Sequence, residues 1–424
     1  MFVSFFPMPR LFFLSLVLWT AVVTAFWYIG GEQLSVAFGM PPAPEDALPV
    51  IGLGFFVTDE FLFFYSYCFV AVALFFAAWR IISPHPYQWW SIAGGALIIF
   101  STYYSVQVSV AINNWRRPFF DSVQKALSGD NTGEGTVTAA DLYGLIIIFA
   151  EIALVWMLVF VATRFFTSHW VFRWRTAMND YYMSRWPEVR RIEGASQRVQ
   201  EDTMRFAQIT EDLGISIVDS IMTLFAFLPV LAALSIYVTE LPLVGHIIQP
   251  LLFAAIFWSI FGTVLLAVAG IKLPGLQFRN QRVEAAYRKE LVYGEDDPER
   301  AGPPSVIELF ANVRRNYFRL YFHYAYFNIF RGLYIQADNI FAYLILIPTI
   351  VAGAITFGIL QQILTAFGQV SNSFQYLVNS WTTIVELLSV YKRLRAFEAQ
   401  IGGEALPEID QRYLAGEGAL EDAR

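Results

Sequence analysis

Charge is scarce in this sequence. Only 15% of its 424 residues are Asp, Glu, Lys or Arg, whereas soluble domains carry about 25%. With 57% hydrophobic residues and a mean hydropathy of +0.50, this excludes an ordinary soluble domain and predicts a membrane protein. Cysteine is nearly absent. Cys68 stands alone in an apolar run, forms no internal disulfide and reads as core filler. The four histidines, His85, His169, His246 and His323, are scattered without metal-ligand spacing, so no metal is expected. A net charge of −7 gives no basic balance for nucleic acid. No G-x-x-x-x-G-K-[S/T] occurs, and the 27 residues after Phe397 are too few for a nucleotide-binding domain. The expectation is that this chain does not itself hydrolyse ATP and needs no cofactor. No nucleophile–base pair is visible either, so the chain is not read as an enzyme.

What is present is a chain of long apolar runs. Residues 11–28, 61–82, 89–112, 142–166, 215–238, 250–271 and 334–359 are each about 18 residues or more, enough to cross a bilayer core about 30 Å thick. The first run is read as an uncleaved anchor, because its exit, FWYIGG at 26–31, lacks a small-x-small cleavage pattern. Glu151 stands inside the fourth run and is a functional candidate by that position alone.

An eighth span, residues 362–386, carries a polar stripe. Gln362, Thr365, Gln369, Asn372, Tyr376, Asn379, Thr383 and Glu386 recur every three or four residues, one side of a helix. Gln375 widens the stripe, and the rest of the girth is apolar. Facing lipid is unfavourable for such a stripe. Two readings remain open: a hydrogen-bonded seam between helices, or the wall of a water-filled cavity lined by Gln369, Asn372, Tyr376, Asn379, Thr383 and Glu386.

Lys and Arg concentrate in two segments, 173–205 and 272–319, whereas the links at 30–60 and 240–249 have none. The positive-inside rule places both basic segments in the cytoplasm, and eight spans then leave both termini inside. Arg116, Arg117 and Lys125 are the exceptions, falling outside near Asp121 and Asp130. Two long cytoplasmic connections of helical character alternate with mostly short external links. That is the rhythm of an ABC-exporter membrane domain, here without a nucleotide-binding domain. The expected organisation is an N-terminal two-helix membrane segment (1–88), an exporter-like transmembrane domain with cytoplasmic helical extensions (89–400) and a short cytoplasmic tail (401–424). One such half supplies half a cavity wall, which predicts a homodimer.

A transporter without its own ATPase needs another engine, and membrane carboxylates can carry protons. Glu201, Asp212 and Asp219 are 11 and 7 apart, which at about 100° per residue returns them to within about 20° of one helical face. Glu211 stands beside them, and Glu284 and Glu295 are also 11 apart, with Tyr293 between. The plainer alternative is that these are solvated faces of cytoplasmic helices, with Glu284–Arg288 an ordinary i,i+4 pair.

Longer motifs narrow this. The chain reads FRWRTAMN at 172–179, IEGASQRVQEDTMRF at 192–206, GIKLPG at 270–275, NQRVEAAYRKELVYGED at 280–296, NYFRLYFHY at 316–324 and SFQYLVNSW at 373–381. Together they resemble the BacA/SbmA family of bacterial inner-membrane transporters. The resemblance implies uptake of antimicrobial and related peptides, driven by the proton gradient with no ATPase partner, by a homodimer in the lipid of the inner membrane. It implies that proton-pathway residues fall on Glu201, Glu211, Glu284, Glu295 and Tyr293, favouring Glu211 over Asp212. Gln277 stands where the resemblance implies a glutamate. The rival expectation is a membrane subunit served by a separate ATPase chain.

Overall fold

The computed structural model describes residues 1–41, 49–128, 135–190, 195–238, 240–242, 245–297 and 299–402. The expected tail at 401–424 lies almost wholly outside them. Among the described residues the protein is helical, without a β-strand. Its helices are α1 (Pro9–Ala37), α2 (Asp59–Ile82), α3 (Gly95–Leu127), α4 (Ala139–Met183), the short α5 (Trp186–Val189) and α6 (Ala195–Gln197), α7 (Thr203–Leu234), α8 (Pro250–Gly270), α9 (Leu273–Asp296), α10 (Pro303–Val351), α11 (Phe357–Asn379) and α12 (Trp381–Gly402). A π turn, Trp89–Gly94, leads into α3, and another, Arg198–Asp202, leads into α7.

Seven of the described helical stretches are long and apolar enough to cross a membrane: Pro9–Gly31, Asp59–Ile82, Trp89–Leu127, Ala139–Met183, Arg198–Tyr237, Pro250–Gln277 and Pro303–Val351. They match the seven apolar runs. The striped helix is not among them, because its glutamines and asparagines lower its hydropathy. Two helices far exceed a bilayer: α4 has 45 residues and α10 has 49, about 67 and 73 Å at 1.5 Å per residue.

Two boundaries differ from expectation. The seventh run does not reach residue 359. Gly353, at φ 66°, ends α10 at Val351, with Ala354 N donating to Thr349 O at 3.2 Å and Gly353 N to Ile350 O at 3.0 Å. This paired closure needs a left-handed residue after the helix, which glycine adopts without a Cβ clash. The striped stretch 362–386 is also two elements, α11 and α12, meeting at a turn on Ser380.

The chain divides into two compact units, Met1–Asp219 with Glu386–Arg424, and Ser220–Val385. The first unit is built around an aromatic core. Phe5, Phe12, Trp79, Trp174, Tyr182, Phe206 and Phe397 are all buried there. Phe5 stacks on Trp174 at 5.8 Å between centroids, and Tyr182 meets Phe397 edge-on at 5.5 Å. Rings of this size bury large apolar areas and prefer these offset and edge geometries. In the second unit α11 packs on α8, and α10 packs on α8 and α9. Ile363, Ala366, Phe367 and Val370 form the buried side of α11, so its apolar face is turned into the unit.

Candidate transport site

Three acidic residues of the first unit, Glu201, Asp202 and Glu386, meet where α7 begins. Glu201 and Asp202 lie in the π turn, not in α7 proper. This wide turn displaces Glu201 from the regular helical register that the 11-and-7 spacing assumes. Glu201 is half-buried, with Arg205 Nε 3.6 Å from its carboxylate. The same guanidinium lies 3.4 Å from Glu386 of α12. One guanidinium therefore stands between two carboxylates. Asp202, its neighbour in sequence, is only 2% exposed. Arg393 grips both its oxygens at 2.8 and 3.1 Å, and Arg198 lies 3.8 Å away. The two-pronged contact is the geometry of a charge-assisted, bidentate arginine–carboxylate pair.

Farther along α7, Glu211 is half-buried while Asp212 and Asp219 are exposed. Arg164 of α4 reaches Asp212 at 3.7 Å, both side chains being well exposed. These three acids lie within the membrane-crossing stretch Arg198–Tyr237. Glu151, on α4, is exposed.

In the second unit, Glu284 is half-buried and Glu295 exposed on α9. Tyr293, between them, is covered by two cations, Lys289 Nζ at 5.5 Å and the Arg300 guanidinium at 5.0 Å from the ring centroid. That is cation–π geometry. Glu290 holds the α9–α10 turn, accepting from Ala301 N at 3.1 Å and from Arg300 at 3.4 Å.

The stripe is sorted by the fold. Thr365, Gln369, Tyr376, Thr383 and Glu386 are half-buried and Asn372 is exposed. The Asn379 side chain lies outside the described residues. Gln362 and Gln375 are buried, so Gln375 does not widen the accessible stripe. It turns inward, donating to Tyr334 Oη at 3.2 Å and Ser371 Oγ at 3.1 Å.

Those bonds lead to a group that sequence reasoning missed. Asp338 of α10 accepts from Trp258 Nε1 of α8 at 2.7 Å and from Ser371 Oγ of α11 at 2.9 Å. Tyr334 Oη donates to the Trp258 carbonyl at 3.4 Å. The signal was available, since an aspartate within an apolar run is a candidate by the rule applied to Glu151.

The model of the SbmA/BacA-like family matches residues 84–402. Among curated relatives, the chain is 24% identical over 318 residues to the inner membrane ABC transporter ATP-binding protein YddA of Escherichia coli (strain K12), covering 69% of this chain and 54% of that protein. It is 25% identical over 282 residues to the uncharacterized ABC transporter ATP-binding protein sll0182 of Synechocystis, covering 62% of this chain and 40% of the relative. It is 23% identical over 243 residues to ABC transporter D family member 2, chloroplastic, of Arabidopsis thaliana, covering 53% and 33%. The chain thus spans about half, or less, of the length of these relatives. A family match over most of the chain, on helical stretches of membrane length, places this protein in the SbmA/BacA-like family.

Proposed function

We propose that this protein imports antimicrobial and related peptides across the bacterial inner membrane as a homodimer, driven by the proton gradient, with both termini cytoplasmic. The observation that carries the reading is Arg205 shared between Glu201 and Glu386. Protonating Glu201 removes one claim on the guanidinium and leaves it to Glu386. Glu386 lies on α12, directly after the striped α11, so a proton taken up at the start of α7 acts on the helix whose polar side would meet the peptide. Glu211 and Glu284, both half-buried, and Glu295 beside Tyr293 are the further acids of this path. Gln369, Asn372, Tyr376, Asn379, Thr383 and Glu386 line the peptide cavity. The test is peptide uptake into proteoliposomes with an imposed inward pH gradient and no nucleotide. Accumulation that a protonophore abolishes is expected, and uptake indifferent to the gradient would refute the reading. The dimer is checked by native mass in lipid nanodiscs, where a monomer with transport intact would rule it out.

The likeness to ABC transporter ATP-binding proteins favours a second reading, a membrane subunit working with an ATPase. It requires uptake that depends on added ATP and on a co-purifying ATPase, and the same proteoliposomes distinguish the two.

A further inference from the structure

We propose that Asp338 is a separate proton-binding site of this transporter, one whose charge sets how tightly α8, α10 and α11 are tied together. The inference rests on the proton-driven reading above. Asp338 lies 13 residues before the end of α10, about 20 Å at 1.5 Å per residue, well inside a hydrocarbon core about 30 Å thick. Neither helix packed against it there carries a charge. The sequences of α8 and α11 contain no Asp, Glu, Lys, Arg or His, and their one titratable side chain is Tyr376. On α10 itself the nearest titratable groups are Tyr334, four residues earlier, the exposed Tyr343, five later, and the exposed Arg331, seven earlier. Among the described residues no cation pairs with Asp338.

The two donors to Asp338 are both neutral, and both reach the same oxygen, Oδ1. An indole N–H only donates, so Oδ1 remains an acceptor and Oδ2 is the atom to which a proton adds. Behind Oδ1 the bonds run in one sense. Gln375 donates to Ser371, which donates to Asp338, and Gln375 also donates to Tyr334, whose hydroxyl donates to the Trp258 carbonyl. The indole of Trp258 is further held between Phe341, stacked at 3.9 Å, and Tyr334, stacked at 5.5 Å. Bonds to a carboxylate are about twice as strong as neutral ones. Adding a proton at Oδ2 therefore loosens the Trp258 and Ser371 bonds together and frees three helices to shift.

If the role were only structural, asparagine would serve better. It accepts the same two bonds and is less costly within a membrane than an unpaired charge. An aspartate with no cation partner makes sense where the charge is switched.

The experiment compares D338N, D338E and wild type in the proteoliposome assay across external pH, with thermal stability measured in parallel. D338N is expected to fold at least as stably as wild type and to lose gradient-driven uptake, whereas D338E keeps a pH-dependent uptake. A D338N protein with wild-type uptake and pH profile overturns the proposal. A second measurement uses unmutated protein: a hydrophobic carbodiimide, which attacks protonated carboxyls, should modify Asp338 increasingly as pH falls, read by peptide mass spectrometry. Asp338 left unmodified at acid pH while other carboxyls react also overturns it. Wild-type uptake that ignores the gradient is instead the failure of the proton-driven reading, and the carbodiimide result then still decides whether Asp338 takes up a proton.

Discussion

A single methyl group should test the packing around the Asp338 network. Gly262 is buried on α8, and a Cβ built there overlaps the ring end of Tyr334, at its Cζ, Cε2 and Oη atoms. The ring has no easy retreat. It is 2% exposed, stacks on Trp258 at 5.5 Å and is bonded through its hydroxyl to Gln375 and the Trp258 carbonyl. G262A must therefore strain the interface, at about 1–3 kcal/mol for overpacking, or expel the ring and lose hydrogen bonds worth about 1 kcal/mol each. Alanine's better helix propensity returns about 1 kcal/mol. The net expectation is a loss of up to about 2 kcal/mol, seen as a lower midpoint in heated detergent samples assayed by size-exclusion chromatography. Truncating the ring removes the clash, so in a Y334L background the same G262A change should be neutral or stabilising. Equal penalties in both backgrounds, or G262A at least as stable as wild type, would refute the close approach of α8 and α10.

Three other predictions follow from the site. On a variant lacking Cys68, a cysteine at the exposed Asn372 should react with a water-soluble maleimide in membranes, and one at the fully buried Val370 should not; equal labelling counts against a cavity wall. Single Glu→Gln changes at Glu201, Glu211, Glu284 and Glu295 should abolish gradient-driven uptake while expression and peptide binding persist; wild-type pH profiles in all four remove them from the mechanism. D202A should cost about 1.5–3 kcal/mol, because it removes the charged hydrogen bonds that Asp202 accepts from the half-exposed Arg393, and D202L with R393M should recover most of that stability; a D202A protein as stable as wild type would refute the pair.

The spans were legible because each is a long apolar run, and hydropathy alone detects it. The end of α10 was not, because the run continues past Gly353 while the backbone reverses there. The stripe was legible as a periodicity, but neighbouring positions on a helix differ by only about 100°. That spacing does not separate Gln375, bonded inward to Tyr334 and Ser371, from Tyr376, half-buried beside it. Asp202 was hidden for another reason. Beside Glu201 it reads as part of one charged patch, and the arginine that fixes it lies 191 residues away. No local spacing rule reaches a partner at that distance.

The acids are best sorted by the cations opposing them. Asp202 has two arginines within 4.0 Å, Arg393 and Arg198. Bonded through both oxygens to Arg393, it holds α12 against the start of α7. Glu201 and Glu386 share one arginine between them. Arg205 thereby joins the start of α7 to α12 through both carboxylates. Asp338 has two neutral donors and, among the described residues, no cation at all. Its charge is offset by hydrogen bonds from neutral donors, and in the proposal above a change of that charge falls on the bonds joining α8, α10 and α11. The same residue type thus spans a structural lock, a shared pair and a free switch. The distinguishing quantity is the count of opposing charges, which the folded chain sets and the sequence spacing does not contain.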